Sequence, residues 1–354
     1  ESIDIFLERF SLLKEIYFIN NPMDQHLKPE TKQKPSKKIK ALVLFFAIVF
    51  ISSCGGGGGS DTPSTSNNDS GGGVATPDDD ILVSLSSSDD YVEIGTTITL
   101  TWNSSNATSC SASGTWTGSK SVDGSTDIII NVVGVNSFTL TCSASGQTTR
   151  STSIDVVGYR VFDGVSADGY VRGAEIYVDA NDNYENDPSE SSSVSDNNGL
   201  FENLIHRDGV LISHEGFDLP TGTFMENFLM MNRLDNHNDF IVVTPVTSVA
   251  AFMSNPEDIN GALGIDSSID IHTTDPVKNI GDNSIYDHLY EKGNQLTAIA
   301  FTLQNAVNDS QNSEETTQEY FEAISEEIEL TYANNSEAIN IEDEDFIGKI
   351  VENV

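Results

Sequence analysis

From Ile81 to Val157 apolar residues recur at every second position. Ile81, Val83 and Leu85 alternate with polar neighbours, as do Ile98, Leu100 and Trp102, and again Phe138, Leu140 and Cys142. Ile128 to Val133 is a mostly β-branched run. A period of two turns every second side chain to one face of a half-buried strand, and the Gly, Asn, Ser and Asp clusters between the runs supply turns. Further strands are predicted over 170–179, 191–201, 209–214, 227–232 and 239–243. After Val243 the period lengthens. Leu296, Ile299, Ala300, Leu303 and Val307 form the stripe of one helix. Phe321, Ile324 and Ile328 form a second, opened by Ser313 with Glu314 and Glu315 in its first turn. Phe346, Ile347, Ile350, Val351 and Val354 form a third. Thr244-Pro245 and Asp275-Pro276 each read as an N-cap with Pro at the first helical position. The pattern predicts a mostly β chain with a C-terminal α region: two β-sandwiches in tandem over 81–157 and 158–243, then a helical region over 244–354.

The stretch before the first strand cannot bury a core. Residues 55–80 are rich in Gly, Ser, Asn and Asp and read as a flexible linker, roughly 30 Å in root-mean-square span for a coil of that length. Upstream, Lys37, Lys38 and Lys40 precede an apolar run of 11 residues, Ala41 to Ile51. That run is too short for a bilayer core of ~30 Å but suits a secretory signal peptide. It ends in Ile51-Ser52-Ser53-Cys54, which resembles the lipobox of bacterial lipoproteins. The resemblance implies that Cys54 is acylated, becomes the new N-terminus and anchors an exported chain at the outer membrane or cell surface. Residues 1–53 are therefore set aside as signal peptide and upstream sequence, with Met23 as the expected start.

Composition then excludes some partners. Of 17 Lys+Arg and 55 Asp+Glu, residues 1–53 hold eight and six, which leaves nine basic against 49 acidic residues. A surface this acidic repels nucleic acid and anionic lipid heads, and offers many hard oxygen ligands. Residues 309–345 carry 13 acids and no Lys or Arg, and read as a solvated helix face. With Cys54 lipidated, the remaining cysteines, Cys110 and Cys142, form a pair, and export favours a disulfide between them. Such a bond closes a loop of about 32 residues and contributes roughly 3–4 kcal/mol in the chain-entropy account.

Trp102, Cys110, Phe138 and Cys142, in LTWNSSNATSC and FTLTCSASG, resemble bacterial immunoglobulin-like domains over about 75 residues. Trp102 precedes both cysteines, so the bridge differs from the inter-sheet bridge of antibody domains. Trp116 reads as a residue packed under a loop, with a surface platform for sugar stacking as the competing reading.

The richest chemistry begins at Asp179. Counting it as position 1, Asn181 is 3, Asn183 is 5, Glu185 is 7, Asp187 is 9 and Glu190 is 12, the ligand spacing of a twelve-residue calcium loop. Calcium takes six to eight oxygens, alternate residues of a tightly wound loop point inward, and a Glu at position 12 can supply two of them. Position 7 gives its backbone carbonyl, which leaves the Glu185 carboxylate to solvent. Tyr184 replaces the Gly expected at position 6, at a cost of about 1–2 kcal/mol where φ is positive. Pro188 and the Ser-rich flanks point to strands rather than helices on either side. The whole segment 168–201 resembles the B-type repeats of bacterial surface adhesins and related prealbumin-like sandwiches, whose D-x-N-x-N-G-x-x-D-x-x-E loops bind calcium. On that resemblance Asp179, Asn181, Asn183, Asp187 and Glu190 are carried over as ligands.

No catalytic constellation stands out. HExxH, a G-x-S-x-G elbow and a Walker loop are absent, and the five histidines after the signal have no mutual metal spacing. The expected function is a surface-anchored structural or adhesive lipoprotein, not an enzyme, with Ca2+ as cofactor and a surface glycan or protein as partner. Two alternatives carry their own signatures. A carbohydrate-binding accessory protein needs exposed aromatics around Trp116 or Tyr170. An enzyme needs a pocket with convergent acids and His206 or His272.

Overall fold

A computed structural model describes residues 80–353, apart from 235–238, 279, 282–283 and 312–315. The expected signal peptide, Cys54 and the linker up to Asp79 lie outside the described residues. The chain is mostly β with C-terminal helices.

Eight strands build the first unit: β1 (Leu82–Ser87), β2 (Tyr91–Glu93), β3 (Thr97–Ser105), β4 (Ser109–Gly114), β5 (Gly118–Lys120), β6 (Asp123–Ile129), β7 (Gly134–Ser143) and β8 (Arg150–Ser166). One sheet runs β1-β3-β6; the facing sheet carries β5, β4, β7 and β8, with β2 parallel to β8. Alternation decides what is buried. Ile98, Leu100 and Trp102 from one sheet meet Cys110, Phe138, Leu140 and Cys142 from the other in a single cluster. Trp116 lies inside it, 5% exposed, edge-on to both Trp102 and Phe138, and its indole N–H donates to the Thr139 carbonyl at 3.1 Å. Cys110 and Cys142 sit opposite each other on β4 and β7 and are joined. The bridge lies within one sheet, across neighbouring strands.

The second unit uses the other half of β8. Its strands are β9 (Val171–Arg172), β10 (Glu175–Asp179), β11 (Ser192–Val194), β12 (Leu200–His206), β13 (Val210–His214), β14 (Phe217–Asp218), β15 (Thr223–Phe224), β16 (Leu229–Arg233) and β17 (Phe240–Val243). Strand β8 pairs with β7 up to Gly158 and with β12 from Arg160, so a boundary at 157/158 falls inside a continuous strand. A sheet of β12, β8 and parallel β17 faces a sheet ordered β11-β10-β13-β16. Of the small sheet β15-β14-β9, β9 falls inside the predicted strand segment 170–179, whereas β14 and β15 are not predicted, because two-residue strands carry no period.

Five α-helices follow among the described residues: α1 (Pro245–Phe252), α2 (Ile259–Leu263), α3 (Ser284–Gln311), α4 (Gln318–Asn335) and α5 (Glu344–Asn353). Thr244 caps α1 as expected, and Thr247 returns the bond to the Thr244 N–H. Asp275-Pro276 does not open a helix. The Asp275 carboxylate accepts the Val277 and Lys278 N–H groups, but the segment stays a turn. Ser313 to Glu315 lie outside the described residues, and the described part of the second helix starts at Gln318. The helices are not an independent layer. Phe162, Ile176, Phe201, Leu211 and Met230 of the sheets share one core with Val249, Ile299, Phe321, Ile324, Ile347 and Ile350. Each such buried side chain contributes about 1.5–3 kcal/mol. Residues 158–243 and 244–353 therefore form one structural body. Among the described residues no helix is long and apolar enough to cross a membrane.

Candidate metal centre

The loop from Asp179 to Glu190 leaves the end of β10 and returns to β11. Asp179 ends β10 and is only 1% exposed. Its neighbour Val178 pairs with Leu211, and Gly209 lies across from the turn-off. Gly209 has φ +97°, and a Cβ there would overlap the Asp179 carbonyl oxygen. The backbone approach that starts the loop thus requires glycine.

All five side-chain ligands predicted from the sequence turn into the loop. Asp179 Oδ1 accepts the Asn181 and Asn183 N–H groups at 3.1 and 3.4 Å, and Oδ2 accepts that of Tyr184 at 2.8 Å. Asn183 N–H also reaches Asn181 Oδ1 at 3.3 Å, and Glu185 N–H reaches Asn183 Oδ1 at 3.0 Å. The Asn181 and Asn183 amides both donate to Asp187 Oδ2, at 2.8 and 3.2 Å. Glu190 closes the ring from the far end, its two oxygens accepting the Ala180 and Asp187 N–H groups at 2.8 and 3.1 Å. The Glu185 side chain is exposed, as its position predicts.

As the loop stands, its carboxylates are satisfied by loop N–H groups rather than drawn to one point. Among the described residues no group of three or more His, Cys, Asp or Glu side chains is arranged to hold a metal. The donor set still fits a hard cation. Its possible donors are all oxygens: three carboxylates, from Asp179, Asp187 and Glu190, and the side-chain carbonyls of Asn181 and Asn183.

Tyr184 adopts φ +59°, the left-handed turn that a glycine normally makes in such loops, and Asp182, two residues earlier, has φ +58°. The strain, about 1–2 kcal/mol, has an evident offset. The Tyr184 ring packs, half-buried, against the cluster of Tyr177, Ile212, Leu229, Met231 and Ala251. Full burial of a large side chain contributes about 1.5–3 kcal/mol, so half-burial matches much of the strain. Tyr177 also donates its hydroxyl to the Tyr184 carbonyl at 2.7 Å. Burial, with the acids around it, raises the pKa of the Tyr177 phenol and keeps it a donor. Nothing in the spacing signalled this anchor; the departure from glycine at position 6 was its only trace.

Three further acids of this unit are engaged elsewhere. Asp163 accepts the Asn203 N–H at 2.8 Å, Asp196 accepts those of Asn198 and Leu200, and Asp168 accepts the Thr297 hydroxyl at 2.7 Å. Trp116 is buried and Tyr170 is half-buried with its hydroxyl on Asp275, so neither is an open aromatic platform. His272 lines a cleft of about 380 Å3 with Asp270, Glu257 and Arg233, over an apolar floor that includes Ile259 and Ile269. Its Nδ1 lies 2.7 Å from Asn232 Oδ1, while Asn232 Nδ2 donates to the Val242 carbonyl, which assigns the proton to Nδ1. His206 lies on β12 opposite Arg160 and does not line that cleft.

No family model matches the sequence. No curated protein matches it either. Among solved structures, the chain is similar to the major pilin subunit of Bacillus cereus, at 10% identity and a TM-score of 0.19, over 46% of this chain and 69% of that one.

Proposed function

We propose that this chain is a surface-anchored structural or adhesive lipoprotein whose second β unit is stiffened by calcium. The anchor is Cys54, at the end of the lipobox-like segment, and places the protein at the outer membrane or cell surface. Asp179, Asn181, Asn183, Asp187 and Glu190, with the Glu185 backbone carbonyl, would hold the ion. When bound, the cation supplies a charge that cross-links the two ends of the loop. The partner class is a surface glycan or protein.

One observation carries the calcium reading. Five oxygen-bearing side chains at positions 1, 3, 5, 9 and 12 all turn into the loop, with the first ligand buried at a strand end. Thermal melting of the full chain with and without calcium tests it. A midpoint rise of about 5–10 °C is expected at saturating ion. It should vanish in Asp179→Ala and Glu190→Ala. An unchanged wild-type midpoint would remove the mechanism.

A further inference from the structure

The calcium loop breaks its own pattern at position 6, and the break coincides with the loop's contact to the body of the protein. Tyr184 is half-buried on a satellite cluster drawn from β10, β13, β16 and α1: Tyr177, Ile212, Leu229, Met231 and Ala251. Both of its backbone groups are also held. Its N–H donates to Asp179 Oδ2 at 2.8 Å and its carbonyl accepts the Tyr177 hydroxyl at 2.7 Å. The residue thus ties the first ligand, Asp179, to the sheet from which the loop departs.

We infer that Tyr184 is the positioning residue of the cation site, holding the loop in its wound form before the ion arrives so that affinity depends on its ring packing against the sheet. The inference rests on the calcium reading above. It reverses the ordinary expectation for this position, where glycine relieves strain and favours the loop. Here the loss of the anchor outweighs the relief, because an unanchored loop must be ordered at the moment of binding.

Calcium titration calorimetry on the full chain separates the possibilities. Tyr184→Phe keeps the ring and is expected to bind as the wild type does. Tyr184→Gly is expected to bind about tenfold more weakly, the scale of a lost outer-shell support, although it relaxes the backbone. Tyr177→Phe leaves the loop sequence intact, deletes the bond to the Tyr184 carbonyl, and is expected to weaken binding several-fold. It decides the matter if Tyr184→Gly fails to fold. Calcium binding in the wild type with equal or tighter binding in Tyr184→Gly would overturn the inference and leave the calcium reading standing. So would unchanged affinity in Tyr177→Phe, or a loss in Tyr184→Phe as large as in Tyr184→Gly. A wild type that binds no calcium would sink both.

Discussion

The Thr297 hydroxyl donates a 2.7 Å hydrogen bond to the Asp168 carboxyl group across 129 residues of sequence, and both partners are buried. The bond fastens the turn after β8 to the middle of α3, where the sheets and helices share their core. Thr297→Val keeps the shape and deletes the donor. The expected cost is about 1–3 kcal/mol, read from denaturant unfolding with an unchanged far-UV spectrum. A loss below about 0.5 kcal/mol, the level of a neutral surface change, would mean that this bond does not hold the layers together.

Asp179 has a role before any ion binds, because it accepts three loop N–H groups from a buried position. In chelator, Asp179→Ala is expected to destabilise the protein by about 1–3 kcal/mol. Glu190→Gln keeps one of the two acceptors at the partly exposed end of the loop and should cost less, about 0.5–1.5 kcal/mol. Equal costs would argue against a loop organised from its strand end.

Gly209 and Gly173 separate strain from collision. Both have positive φ, but a Cβ at Gly173 meets nothing within 4 Å, whereas one at Gly209 overlaps the Asp179 carbonyl. Gly173→Ala should cost about 1–2 kcal/mol from backbone strain alone. Gly209→Ala should cost more, and should weaken the proposed calcium binding as well. Comparable melting midpoints for the two variants would contradict this.

Breaking the Cys110–Cys142 bond by the double substitution to alanine should cost roughly 3–4 kcal/mol for a separation of 32 residues. Both cysteines are buried in the first unit's core, so the double variant also loses packing. Calorimetry should then show the first unit's contribution melting earlier.

Much of this architecture was legible from spacing alone. Ile98, Leu100 and Trp102, or Leu296, Ile299 and Leu303, announce their elements because one face is buried and the other is wet. The inward-turned positions from Asp179 to Glu190 were legible for a similar reason, since a wound loop also has an inside. What stayed hidden depends on contacts distant in sequence. Phe217 and Phe224 pair across a short hairpin whose strands are too brief for a period. The shared core of sheet and helix could not be read, because an apolar stripe does not name what it packs against. Asp275-Pro276 carries a helix-start signature, yet Tyr170 takes one oxygen of that carboxylate and the backbone turns instead.

Two aspartates, Asp218 buried and Asp275 half-buried, predict a pH dependence. Burial raises the pKa of Asp218 against the opposing bonds from Thr221, and burial likewise raises that of Asp275. A carboxyl group whose folded pKa lies above its unfolded value, about 3.9 for Asp, binds more protons when folded. Its contribution to stability is full below the unfolded value and is lost as pH rises through the folded one. Asp218 is the sharper probe, because its Oδ1 is buried with no hydrogen-bond partner among the described residues. Asp218→Asn should flatten the slope of unfolding free energy above pH ~4, measured by urea titration at several pH values. An unaltered slope would show that Asp218 does not titrate in that range.

Strand β8 runs without interruption from Arg150 to Ser166, bonded to β7 along its first half and to β12 along its second. Bending where the two units meet would tear ladder bonds instead of swinging a loop. A tug on one unit is therefore borne by a rigid beam, and the pair turns as a single lever arm rather than as beads on a string.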